Sequence, residues 1–157
     1  MSYEKSQWRI QIRDVEREYL TVRFSLDWLL AATVPQIEDF VLASGEVEPP
    51  RGALADAHSH LAATYLVRMD SLFERSIWSF WLTREGSRFT GDGRELLDQV
   101  AATLAIAYDA NEDAQITRRL RNELVHDRFY ESAIGVDIAA NMSRMLAYLD
   151  RLPLRWG

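Results

Sequence analysis

The chain has 157 residues, a formal charge of −6 at pH 7, an apolar fraction of 48% and no cysteine, so a disulfide framework, a thiolate zinc site and a thiol nucleophile are all excluded. Its length indicates one domain over residues 1–157, and its acidity argues against a protein that coats nucleic acid generally while leaving room for an enzyme that grips one phosphate locally. The longest uncharged apolar run, Trp28 to Ile37, is broken by Thr33, Pro35 and Gln36 and the opening Met1-Ser2-Tyr3-Glu4-Lys5 is polar, so a cytoplasmic chain without membrane association is expected.

Trp8, Ile12, Val15, Tyr19, Val22, Leu26 and Leu29 recur in alternating steps of four and three, which predicts a long first helix. It should stop near Thr33, because Pro35 drives its predecessor out of the α region. Ile37, Phe40 and Val41 predict a short helix inside a long connection over residues 34–52. From Ala53 to about Thr83 the pattern is again helical. One stripe carries Leu54, Leu61, Tyr65, Met69, Leu72, Ser76 and Phe80, and a second carries Leu66, Phe73, Ile77 and Trp81. Two stripes require partners on two sides, which makes this the central helix of a bundle.

The run Glu85 to Gly93 reads as a turn, with Asp92 as the N-cap of the next helix, on which Leu97, Val100, Leu104 and Tyr108 point inward. Asn111 is the expected cap of another helix, with Ile116, Leu120 and Leu124 inward, and Ile138, Met142, Met145, Leu149 and Leu152 mark a last helix ended by Pro153. No strand-length alternating run competes. The expected fold is all-α, an antiparallel up-and-down helical bundle of four to five main helices.

The chemistry concentrates between Arg118 and Arg128, where four arginines against Glu123 and Asp127 leave a local charge of +2. Asn122 and His126 are four apart and share a helix face, with Leu120 and Leu124 anchoring the same segment in the core. Arg121 and His126 are five apart, roughly 140° round the cylinder. Three arrangements bring them together: the helix ends near His126 and the imidazole swings round, Arg121 reaches across on its long stem, or a second copy of the chain completes the site.

The segment Arg121-Asn122-Glu123-Leu124-Val125-His126 resembles the Arg-Asn-x-x-x-His form of the motif that marks HEPN domains, and the stretch from Tyr65 to Leu72-Phe73-Glu74 is similar to prokaryotic members. The resemblance covers most of the chain in outline. It implies a helical bundle that forms a homodimer with a composite active site and acts as a metal-independent endoribonuclease. It also implies a toxin of a toxin–antitoxin pair, with an antitoxin protein as a possible partner, or an anti-phage defence effector. Where toxins paired with a nucleotidyltransferase antitoxin carry Tyr two residues after the His, this chain has Arg128, with Tyr130 two further on, so the ribonuclease class is implied better than that partnership.

The residue types suit cleavage of RNA with no cofactor and no metal. His126 would take the proton of the 2′-hydroxyl, since imidazole titrates nearest neutral pH. Arg121 would fork onto the non-bridging oxygens of the phosphorane, and Asn122 would orient the imidazole or bond the phosphate. Arg118, Arg119 and Arg128 would hold the RNA backbone without reading sequence. Products would end in a 2′,3′-cyclic phosphate.

Plainer readings stand beside these. The Arg121 and His126 pair also fits a solvated helix terminus, and Arg118 and Arg119 fit surface charges paired with Glu123 or Asp113. Asp56, His58 and His60 look like metal ligands, but histidines two apart lie about 200° apart on a helix, so His58 reads as a bundle-interface residue. Trp78, Phe80 and Trp81 are either a stacking platform for bases or a crowded aromatic core. Gly91-Asp92-Gly93 is a turn signal, and Trp156 would pin the tail. The alternative functions are a non-catalytic module binding RNA or nucleotide phosphate, and a regulatory or structural helical partner.

Overall fold

The computed structural model describes residues 4–32, 51–126 and 135–156. Among them are five helices: α1 over Lys5–Ala31, α2 over Arg51–Glu85, α3 over Gly93–Leu104, α4 over Tyr108–His126 and α5 over Ile138–Leu149. The fold is an all-α bundle. Its centre is α2, which packs against each of the other four helices, as its two apolar stripes require. Most of the expected connection, residues 34–50 with its short helix, lies outside the described residues, and Arg51 and Gly52 already belong to α2.

The core is built from Trp8, Ile12, Val15 and Tyr19 of α1, from Leu66, Met69, Phe73 and Ile77 of α2, and from Leu96, Val100, Leu124, Met145 and Leu149 of the other three. Truncating a fully buried side chain such as Phe73 or Leu124 to Ala would cost about 2–5 kcal/mol. Beyond Tyr19 the α1 seam is only partly covered by described residues, and Leu20, Phe24 and Trp28 on its other faces are exposed. Polar clamps fix the helix pairs. Glu18 of α1 accepts two bonds from the Arg68 guanidinium, 2.7 and 3.0 Å, and one from the Tyr65 hydroxyl, 2.8 Å. The Arg68 guanidinium holds the Glu18 carboxyl below its ordinary range. Lys5, the sole lysine, is buried and donates to the carbonyls of Asp150 and Leu152, which follow the end of α5. The Tyr148 hydroxyl donates to the Leu97 carbonyl at 2.7 Å, tying α5 to α3.

Asp92 caps α3 as expected: its side chain accepts from the Arg94 and Glu95 amides, and Glu95 Oε2 accepts from the Asp92 amide in return. The end of α3 departs from expectation. Ala105 adopts the left-handed conformation, φ 50° and ψ 41°, and stops the helix, so Tyr108 opens α4 and is exposed rather than facing inward from α3. Asn111 therefore lies inside α4, where its amide donates to Asp98 instead of capping a helix. Ala105 ends α3 through backbone bonds, with the Ile106 amide reaching the Ala101 carbonyl, so no Gly or Pro marks the break. Phe80 is core, packed edge-on against Trp156, whose indole donates to the Pro153 carbonyl and pins the tail. His58 bonds Asp27 at 2.8 Å across the α1–α2 interface.

Candidate functional site

The motif segment forms the last two turns of α4, anchored by buried Leu124 and partly buried Leu120. Arg118, Asn122 and His126 follow one another at steps of four along one face. Arg121 stands beside that face and leans toward α2. Its Nε lies 3.2 Å from Asp70 Oδ2 and its Nη2 donates to Glu74 Oε2 at 3.2 Å. The Asp70 contact is an ion pair by distance, but the Nε–H is not aligned as a hydrogen bond. Nη1 donates to Asn122 Oδ1 at 2.9 Å, so the guanidinium bends toward the face that carries His126. About a quarter of the Arg121 side chain, 24%, stays exposed.

Asp70 is 3% exposed at its side chain, and burial pushes its carboxyl up to about 6; the Arg121 guanidinium opposes that, the Glu74 carboxylate adds to it, and Arg118 again opposes it. Arg118 is drawn in from the other side, 3.8 Å from Asp92 Oδ2. Gly93, the first residue of α3, eases the close approach: a Cβ there would lie 3.0 Å from Glu74 Oε1 and 3.2 Å from Arg118 Nε. Between these groups is a cavity of about 10 Å³ against Asp70, Phe73, Glu74, Gly93, Leu96 and Arg118, room for about one water. The cluster sets two arginines against three carboxylates, so it is a network that orients Arg121 and not a ready-made anion hole.

Helix α4 is continuous through His126, so Arg121 and His126 leave it roughly 140° apart with Asn122 between them, and His126 is exposed at the last turn. Arg119 stands apart from this group, about 200° round from Arg121, and pairs with Glu112 at 2.5 Å. Arg118 and Arg119 thus pair with Asp92 and Glu112; Asp113, one of the partners expected for them, instead lies 3.5 Å from Arg144. Arg128 lies outside the described residues.

Sequence reasoning missed Asp70 and Glu74 as partners of Arg121. The signal was present: Asp70 falls between Leu66 and Phe73 on an apolar stripe of α2, where a carboxylate without a partner would be costly. Gly93 likewise read as turn chemistry alone, although Glu74 and Arg118 lie close to where its side chain would be. Comparison with known proteins finds no family model, no curated protein and no solved structure that matches the chain. No helix among the described residues is long and apolar enough to cross a membrane.

Proposed function

We propose that the chain is a HEPN-type, metal-independent endoribonuclease acting in the cytoplasm, a toxin or an anti-phage effector, in which Arg121, Asn122 and His126 act on one RNA phosphodiester. The observation that carries this reading is the state of Arg121. The guanidinium is gripped by Asp70, Glu74 and Asn122, yet stays partly open to solvent five residues before an exposed His126. Orientation by carboxylates gives a guanidinium the fixed direction that stabilising a phosphorane requires. His126 would abstract the 2′-hydroxyl proton, and Arg121 would meet the charge that gathers on the non-bridging oxygens. Because the two side chains diverge round α4, a homodimer that brings a second copy's set into the same cleft is part of the proposal.

The surplus of carboxylates round Arg121 favours a second reading, a helical module that binds RNA or nucleotide phosphate without cutting it. Incubating purified protein with single-stranded RNA separates the two. The first reading expects fragments ending in a 2′,3′-cyclic phosphate and their loss in His126→Ala; binding with no fragments supports the second, and cleavage undiminished in folded His126→Ala sinks the first.

A further inference from the structure

At the C-terminal end of α2 the structure contains a recess of about 510 Å³ that the site above does not use, lined by Trp78, Ser79, Leu82, Arg88 and Phe89. Its aromatic wall is held in place. Trp78 and Trp81 both meet the Phe89 ring edge-on, with centroids 6.0 and 5.2 Å away, while Leu82 is left 47% exposed at the rim. Arg88 lines the recess, and Arg75 lies one turn before Ser79 on the same face of α2; both are exposed, and neither has an ion-pair partner among the described residues.

The carboxylates nearby are committed elsewhere: Glu85 to Arg84, Glu95 to the cap of α3, and Asp92 to that cap and to Arg118. In a chain of formal charge −6, an aromatic recess flanked by unneutralised arginines is a local exception. A fixed aromatic surface beside backbone-directed cations is how single-stranded nucleic acid is held without sequence readout. Position adds to this. Glu74, which bonds Arg121, and Trp78 are one turn apart on α2, about 6 Å along the axis.

We infer that the recess of Trp78, Phe89 and Arg88 is a base-stacking subsite for single-stranded RNA, beside the phosphate held at Arg121. The inference rests on the ribonuclease reading for its substrate, yet binding at the recess is measurable without catalysis. A base enters against the indole of Trp78, its ribose-phosphate lies along Arg88 and Arg75, and the strand continues past Glu74 toward Arg121.

The test uses full-length His126→Ala protein, so that cleavage does not interfere, and a short oligouridylate as probe. Stacking quenches tryptophan emission on binding; Trp78→Leu abolishes most of that quench and weakens affinity roughly tenfold, whereas Trp78→Phe keeps most of the affinity. Arg88→Gln, at an exposed position, lowers the slope of log affinity against log salt by about one. Circular dichroism melts establish that each variant is folded. Affinity, quench and salt slope unchanged in both Trp78→Leu and Arg88→Gln overturn the proposal. So does an apolar dye entering the recess of a protein that binds no RNA, which would mark a protein-docking face. Failure of the nuclease reading looks different: RNA bound in a Trp78-dependent way, with cleavage absent or independent of His126.

Discussion

Arg121 and Asp70 meet across α4 and α2 with Nε 3.2 Å from Oδ2, and Asp70 is the most deeply buried carboxylate among the described residues. Burial lifts its carboxyl to about 6 even against the Arg121 guanidinium. An acid with a raised folded pKa binds more protons folded than unfolded. Its stabilising contribution is therefore complete below its ordinary value near 3.8 and is lost as pH rises through about 6. The span of about two units corresponds to something on the order of 3 kcal/mol. Thermal melts of the wild type should show Tm falling between about pH 4 and pH 7, and Asp70→Asn should flatten that fall and stand higher at neutral pH. A wild-type profile that Asp70→Asn leaves unaltered would count against this account. An ionised Asp70 is thus retained at neutral pH at the expense of stability, which is expected where a charge serves to orient another.

Arg121→Lys separates charge from geometry. A lysine keeps the positive charge but is a single point donor, and it cannot reach Asp70, Glu74 and Asn122 together as the planar fork does. If the guanidinium stabilises the phosphorane, Arg121→Lys should lower kcat for RNA cleavage by about a hundredfold and change KM much less. A fall confined to KM would reassign Arg121 to ground-state phosphate binding.

Two glycines two residues apart should respond differently to Ala. At Gly91 an added Cβ would fall 2.0 Å from Glu95 Oε2 and 2.6 Å from Phe89 Cε1, and that ring is already wedged between Trp78 and Trp81. Gly91→Ala must displace the ring or open the capping box, a loss of roughly 1–3 kcal/mol. At Gly93 the neighbours are the ends of two flexible side chains, 3.0 and 3.2 Å away, which can give by a few tenths of an ångström. Gly93→Ala should stay within about 0.5 kcal/mol in stability, because the first helical turn prefers Ala to Gly. In denaturant titrations Gly91→Ala should shift the midpoint and Gly93→Ala should barely move it.

The bundle was legible because the apolar positions of α1, α2 and α5 keep helical spacing with few interruptions, and most are buried, with Val22, Leu26, Leu29, Leu61, Leu72, Trp81 and Met142 half-buried. Asp92 was legible because a cap acts through its immediate neighbours. What escaped was tertiary. The partners of Arg121 are 47 and 51 residues away, on a helix whose apolar pattern conceals one aspartate. Pairing of Arg118 and Arg119 was misjudged for the same reason in one case: Asp92 reaches Arg118 from another element, whereas Glu112 is seven residues from Arg119 on its own helix. The break at Ala105 escaped because local residues give no sign of it. Apolar spacing runs on from Leu104 to Tyr108, whereas α4 turns back to pack against α2 and α3.

That break carries its own prediction. Ala105 sits at φ 50° and ψ 41°, where a Cβ crowds the following carbonyl at a penalty of roughly 1–2 kcal/mol. Its side chain is exposed, so replacing it sacrifices no packing. Ala105→Gly removes the strain, and against this the unfolded chain gains freedom worth about 0.4–1 kcal/mol. The balance favours Gly by roughly 0.5–1 kcal/mol, a rise in Tm of about 1–4 °C for a domain of this size. Ala105→Val, which keeps the strain and adds a β-branch, should lower Tm. If Gly destabilises the protein while Val is neutral, the left-handed turn is not what ends α3, and the placement of α4, with Arg121 on it, needs another cause.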